Sequence, residues 1–414
     1  RVWEAGEAGD VAASWSGPHF VVLCGGDEDR ARDVAAALTS ARCVVVGGGG
    51  EGVPARYEAA VLQTLELLQR IVAEKPKDEV LIQLVVAGAG AEALFGGLAG
   101  LLRTARLEHP KLRGQIVVVA ADESAAQIVA HLQESARRPH EQAVRYSAGT
   151  REVASWRELS PDAGVAMPWR DGGVYLITGG AGGLGLIFAE AIARGAKDAV
   201  IVLTGRSELD DGGHARLSGL ERLGARVAYR RVDVADGAAV RSLIAELRES
   251  HGGVSGIIHA AGVIRDSFLL KKTADEIHAV LAPKVAGVVN LDEATADLTL
   301  EFMILFGSGA GAFGNVGQAD YAAANALLAE YAAWRNEQVR RGERWGRTVS
   351  IAWPLWRDGG MQLPEASERQ QRQMGLHPLA TEAGLEAFYR ALAGESGEGD
   401  EIAVLSGEAG ALRG

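Results

Sequence analysis

The chain has 414 residues, 48% of them hydrophobic, which is enough for more than one core; length alone suggests two or three domains. A net charge of −12 argues against a nucleic-acid partner, and no apolar run is long enough to cross a membrane. The only two cysteines, Cys24 and Cys43, lie in apolar runs and are expected to be buried free thiols in a reducing, cytoplasmic setting.

Near the start, "VWEA" is expected to form a strand that pairs with the later "REVASW". "HFVVLCGGDEDRARDVAAAL" reads as strand, Gly-Gly and helix, and "ARCVVVGG" as the next strand. "EVLIQLVVAG", "GGLAGLLRTARLEHP" and "GQIVVVA" continue the alternation. A linker containing Pro161 and Pro168 then separates residues 1–168 from residues 169–414.

The second half repeats the scheme. "VYLIT", "DAVIVLTGR", "ARVAYRRVDV", "VSGIIHAAG", "LEFMILFGS" and "RTVSIAWPL" are six apolar strands with helical segments between them. This pattern predicts an α/β chain of two Rossmann-like, doubly wound parallel-sheet subdomains. The order strand, small-residue helix, strand recurs in both halves and points to an internal duplication. The first copy has one Gly-Gly pair where the second has a full glycine motif, and no tyrosine in its helix, so it is expected to be degenerate and structural, and the second catalytic.

"LITGGAGGLG" follows an apolar strand and opens a helix, the context in which a glycine loop cradles a pyrophosphate. Thr178, Gly179, Gly180, Gly182, Gly183, Leu184 and Gly185 are the candidate contacts. The next strand ends in Gly205, Arg206 and Ser207, with no carboxylate for the ribose hydroxyls of NAD. Arginine there suits a 2′-phosphate, so NADPH is expected. Asp233 and Val234 close the third strand and should border the adenine, unless Asp233 is a simple strand-end carboxylate. Ala260, Ala261 and Gly262 follow the fourth strand beside the cofactor. His259 is expected to make backbone contacts and is given no catalytic role.

"GQADYAAANALLAE" sets Tyr321 at the head of an alanine-rich helix, with Asn325 one turn later. A phenol with a pKa near 10 needs a nearby cation to act at neutral pH, and none lies within a turn of it in the sequence. "TGGAGGLG", "HAAGVIRDSFLLKKT", "LAPKVAGVVNLDEAT" and "GSGAGAFGNVGQADYAAANA", in this order and spacing, resemble the short-chain dehydrogenase/reductase superfamily. Within it the chain is most similar to the ketoreductase domains of modular polyketide synthases and animal-type fatty acid synthases. The wording of the middle two motifs most resembles polyketide lines served by a separate acyltransferase.

The resemblance implies that the cation is Lys284, supplied from the preceding helix, with Asn325 in the position that holds lysine in most short-chain reductases. It implies Tyr321 as general acid, Ser308 as hydrogen-bond donor to the carbonyl oxygen, and Asn325 orienting the lysine or a water. It implies a β-ketoacyl substrate on the phosphopantetheine arm of an acyl carrier protein, neighbouring synthase domains, and no membrane or metal. Pro354 and Leu355 would flank the nicotinamide, and "MQLPEASERQQRQMGLHPL" would form a lid. At the position linked to D-configured alcohols stands Asp266, in Ile264-Arg265-Asp266; at the tryptophan position linked to L-configured alcohols stands Phe313. Asp266 favours the D product.

Arg335, Arg340, Arg341, Arg344 and Arg347, like Lys271 and Lys272, are expected to be solvated, the alternative being a docking patch for an acidic carrier protein. A non-reducing structural or epimerising domain, and a free-standing reductase of small ketones, are the rival functions. The ends, Arg1 without a methionine and "GEAGALRG", read as those of a piece of a longer polypeptide.

Overall fold

The computed structural model describes residues 1–6, 14–25, 28–159, 167–361, 369, 372–373, 375–394 and 399–408. Pro161, the C-terminal "GEAGALRG" beyond residue 408 and most of the expected lid stretch lie outside the described residues. By contact the chain forms two compact units. The first holds Arg1–Glu158, Val263–Ala282 and Ala310–Trp334; the second holds Leu159–Gly262, Pro283–Gly309 and Arg335–Gly414. The boundary at 168/169 separates the two sheets, while contact also assigns two later segments to the first unit.

In the first unit, β2 (His19–Cys24), β3 (Arg42–Val46), β4 (Val80–Ala87), β5 (Leu112–Val119) and β6 (Ala143–Ser147) run parallel in the order β3-β2-β4-β5-β6. β1 (Val2–Ala5) pairs antiparallel with β7 (Thr150–Ser155), Val2 opposite Ser155, as the sequence suggested, and β7 pairs antiparallel with β6. Strand β4 is buried along nearly its whole length. Its one polar residue, Gln83, is satisfied by His19 Nε2 at 2.8 Å and Gln115 Oε1 at 2.7 Å. Cys24 and Cys43 are free and partly buried.

The second sheet has the order β10-β9-β8-β11-β12-β13-β14 and is parallel throughout. Its strands are β8 (Val174–Thr178), β9 (Val200–Gly205), β10 (Arg226–Arg231), β11 (Gly256–His259), β12 (Phe302–Ser308), β13 (Arg347–Trp353) and β14 (Glu401–Ala403). This sheet starts at β8, steps outward through β9 to β10 on one side, then restarts at β11 on the other. That reversal, between β8 and β11, opens the crevice in which such folds bind ligands. An aromatic cluster of Trp169, Phe188, Phe306, Trp353, Trp356 and Phe388 packs the interior of this unit.

Four basic residues expected in solvent are corrected. Arg335 is not solvated: it is wholly buried and bonds Asp292 Oδ1 at 2.6 Å, Gly346 O at 2.8 Å, Trp345 O at 2.8 Å and Thr348 Oγ1 at 2.9 Å. Arg344 reaches the same Asp292 at 3.2 Å, and Arg347 lies part-buried with its Nη1 on the carbonyl of Ala391 at 3.1 Å. Lys272 is buried against Asp320, described below. Arg340 and Arg341 do sit in solvent, paired with Glu337. The full burial of Arg335 is tolerated because Nε, Nη1 and Nη2 each find a carbonyl, hydroxyl or carboxylate.

Removing one member of a buried ion pair leaves the other uncompensated. Asp292→Ala should therefore cost about 3–5 kcal/mol, whereas Arg341→Ala at the surface should stay within about 0.5 kcal/mol. Urea denaturation of both variants checks the contrast.

Candidate active site

Within the second unit, β8 runs into a loop that only glycine allows. Gly179 has φ +64°, and a Cβ there would lie 3.0 Å from the Ala260 backbone. A Cβ on Gly185 would lie 2.6 Å from Gly180 Cα, so the first turn of the next helix can press onto the loop. That helix, α1 (Gly183–Gly195), begins at Gly182 with no side-chain cap. Its first N–H groups are left for an anion, which suits a pyrophosphate. The residues of this loop therefore fit the dinucleotide expected of them.

Thr178 turns inward. It is buried, its Oγ1 lies 2.7 Å from His259 Nδ1 and accepts from Ala261 N at 3.3 Å, tying the ends of β8 and β11 together. His259 was expected to make backbone contacts; its ring meets the backbone of Pro283 and Lys284 and adds the side-chain bond to Thr178. Full burial, then the neighbouring Lys284 charge, push its pKa down to about 3, so it is a neutral strut and no acid. Arg206 is exposed at the end of β9, with its carbonyl accepting from Arg231 Nε at 3.1 Å. The nearby carboxylate of Glu208 faces Arg231 at 3.4 Å, and Ser207 O accepts from Tyr229 OH at 2.6 Å. Asp233 caps its own turn through Ala235 N at 3.0 Å. Asn290 holds the backbone of that turn by donating to the carbonyls of Val234 and Ala235, both at 3.0 Å.

Lys284 lies in a π-helical turn, Ala282–Ala286, inserted before α2 (Gly287–Ala294). Such turns carry one extra residue per turn and often mark functional sites. Its side chain is buried, and Nζ donates to Phe306 O at 2.9 Å, two residues before Ser308 at the end of β12. Gly262 leaves room for it: a Cβ there would lie 2.9 Å from Lys284 Cε. Burial lowers the lysine pKa from 10.5 to about 7. Ser308 is half-buried, as are Pro354 and Leu355.

The first unit carries Tyr321 and Asn325 on α3 (Ala319–Arg340). Tyr321 is half-buried; Asn325 is buried and its Nδ2 donates to Tyr321 O at 2.7 Å. A lysine does lie beside this tyrosine turn, though distant in sequence. Lys272 Nζ is 3.1 Å from Asp320, both side chains fully buried, and Asp320 Oδ1 accepts from Tyr321 N at 2.8 Å. Asp266 accepts from Gln318 Nε2 at 2.9 Å. Phe313 stands apart from that cluster: it packs on Trp156, centroids 5.4 Å apart, and lines a cavity of about 480 Å³ with Arg103 and Arg106. The helix bed is made by the first half. Tyr57 OH donates to Ala323 O at 2.9 Å, and any side chain at Gly100 would strike the Ala322 carbonyl.

Asn290, Gln318, Lys272 and Asp320 were not singled out from sequence for these roles. The one available signal was an acidic residue beside Tyr321 on an otherwise alanine-rich turn.

A parallel sheet with a glycine loop at its switch point defines the second unit as a Rossmann-like fold of the short-chain dehydrogenase/reductase type. Residues 173–358 match the family described as the KR domain. Polyketide synthase PksN of Bacillus subtilis strain 168 is 41% identical over 410 residues, 98% of this chain and 7% of that protein. Polyketide synthase PksL of the same organism is 42% identical over 373 residues, 90% of this chain and 8% of that protein. The chain thus spans under a tenth of the length of either relative. A crystal structure of a ketoreductase domain from the bacillaene assembly line matches with a TM-score of 0.93 at 37% identity, covering 100% of this chain and 97% of that one. An N-terminal ketoreductase from the macrolactin assembly line matches with a TM-score of 0.77 at 26% identity, covering 100% and 92%. The chain belongs to the ketoreductase domains of modular polyketide synthases.

The depressed pKa of Lys284 has a stability consequence. Between about pH 7 and the ordinary lysine range near 10.5, the unfolded chain binds a proton that the folded chain lacks, so this group adds stability as pH rises through that window. In Lys284→Met the contribution is absent. Denaturation midpoints of the cofactor-free proteins at pH 7 and pH 9.5, about the two ends of the window, check the difference in slope.

Proposed function

We propose that this domain reduces a β-ketoacyl thioester to the β-hydroxyacyl thioester with NADPH, the acyl group riding on the phosphopantetheine arm of an acyl carrier protein. The observation that carries the reading is Lys284, a buried ammonium bonded to the carbonyl two residues before Ser308. Such a cation has no structural use that an apolar residue would not serve better. Membership in the ketoreductase domains supplies the reaction class.

When bound, NADPH supplies the hydride. The glycine loop and the uncapped start of α1 hold its pyrophosphate, Arg206 its 2′-phosphate, and Asp233 and Val234 border the adenine. Ala260, Ala261 and Gly262 lie along the cofactor, and Pro354 and Leu355 flank the nicotinamide. Tyr321 delivers its proton to the carbonyl oxygen as charge grows there, and Ser308 donates a hydrogen bond to the same atom. Lys284 favours the phenolate left on Tyr321 and holds the nicotinamide ribose, while Asn325 orients the lysine or a water in the proton path. Residues 169–414 carry the chemistry, and residues 1–168 are structural. Asp266 favours the D-configured product.

The relatives are large synthases, which supports a carrier-bound substrate and neighbouring domains over a free-standing reductase. Intact Tyr321, Ser308 and Lys284 argue against a non-reducing scaffold or epimerase.

Tyr321→Phe should abolish most turnover while NADPH binding stays near normal; single-turnover reduction and fluorescence titration decide it, and near-normal reduction removes the tyrosine from its role. Arg206→Ala should weaken NADPH about tenfold or more and leave NADH nearly unaffected, since a charged hydrogen bond is worth about 1.5–3 kcal/mol. Titration of both cofactors tests this. With a simple β-ketoacyl thioester, chiral chromatography should return mainly the D alcohol.

A further inference from the structure

The segment 263–273 and the segment 314–321 are stitched together inside the first unit. Ser267 N donates to Gly317 O at 2.9 Å, and Gln318 Nε2 to Asp266 Oδ1 at 2.9 Å. Glu108 receives both sides at once, from Leu269 N at 2.7 Å and Gly317 N at 2.9 Å. At the centre lies the Lys272–Asp320 pair, with neither side chain open to water. Lys272 Nζ also donates to the carbonyl of Arg265, next to Asp266, while Asp320 receives the backbone N–H of Tyr321.

A buried ion pair is poor value as pure stabilisation, because well-packed apolar side chains do at least as well. What it adds is directional bonding. One ammonium fixes the backbone beside Asp266, and one carboxylate fixes the backbone of Tyr321. We propose that Lys272 and Asp320 are positioning residues: a latch that holds the Asp266 segment in register with the first turn of α3 and so sets the fidelity with which one face of the ketone is reduced. This rests on the reductase reading above for its stereochemical part only. Asp266, already engaged by Gln318, then acts as one member of this assembly.

The test uses the whole chain. In Asp320→Asn and Lys272→Met, amide exchange at Ser267, Leu269 and Gly317 should accelerate about tenfold or more. Turnover of a β-ketoacyl thioester should fall about tenfold or more, through kcat, because small misplacements of reacting groups are costly. NADPH affinity should be unchanged, and the minor enantiomer should rise. The charge-free double variant Lys272→Met/Asp320→Leu should recover the denaturation midpoint while keeping the eroded enantiomer ratio, which a purely structural role would not produce. It also keeps the test open if either single variant fails to fold.

Variants that fold, exchange normally at those amides and keep the wild-type enantiomer ratio overturn the latch. Loss of NADPH binding in step with activity in the folded double variant overturns it too, since the pair then acts on the whole domain and not on the Asp266 segment. A wild-type chain that reduces no β-ketoacyl thioester defeats the reductase reading, and the exchange data then still decide the latch.

Discussion

An ammonium group taken out of water governs the carboxyl ends of the second sheet. Lys284 Nζ keeps a carbonyl partner at Phe306, so β12 presents that oxygen just before Ser308. The π-helical turn supplies the extra residue at the lysine, and the missing side chain at Gly262 leaves the path for its stem. His259, packed beneath, is held neutral by burial and by the lysine itself, because a second cation there would be repelled. The gain is a lysine whose pKa lies near neutrality, where small changes around it alter its charge.

Much of this was legible in the sequence because parallel strands buried on both faces leave long apolar runs. "VYLIT", "VIVLTG" and "FMILFGS" are such runs, and each is a strand with nearly every residue buried. The glycine loop was legible for a different reason: its shape excludes side chains, so composition records geometry. Even the edge pairing of β1 with β7 followed from two short stretches. β6 and β14 were missed, being five and three residues long with mixed polarity and set by their neighbours more than by their own pattern.

Charged residues were the weak point. A run of arginines around Arg335 reads as a solvated helix end, yet one of them is among the most buried side chains in the molecule. "LLKKT" reads as a surface turn, yet Lys272 is interior and Lys271 is exposed. Sequence periodicity registers hydrophobic faces; it has no symbol for a charge whose partner lies 48 positions away, as Asp320 does from Lys272, or 43 positions away, as Asp292 does from Arg335. His259 shows the same limit on a smaller scale, since its partner Thr178 belongs to another strand.

The bed beneath Tyr321 bears on how such domains can be exchanged between proteins. The family model matches residues 173–358, and a swap drawn at those limits would carry the tyrosine helix away from Tyr57, Gly100 and Glu108, which hold it and the segment before it. Those three positions are unremarkable to a motif search: a phenol reaching a main-chain oxygen, a missing methyl, a carboxylate on two amides. The unit of inheritance for this helix therefore extends back into the first half of the chain, and chimaeras should travel with that half attached.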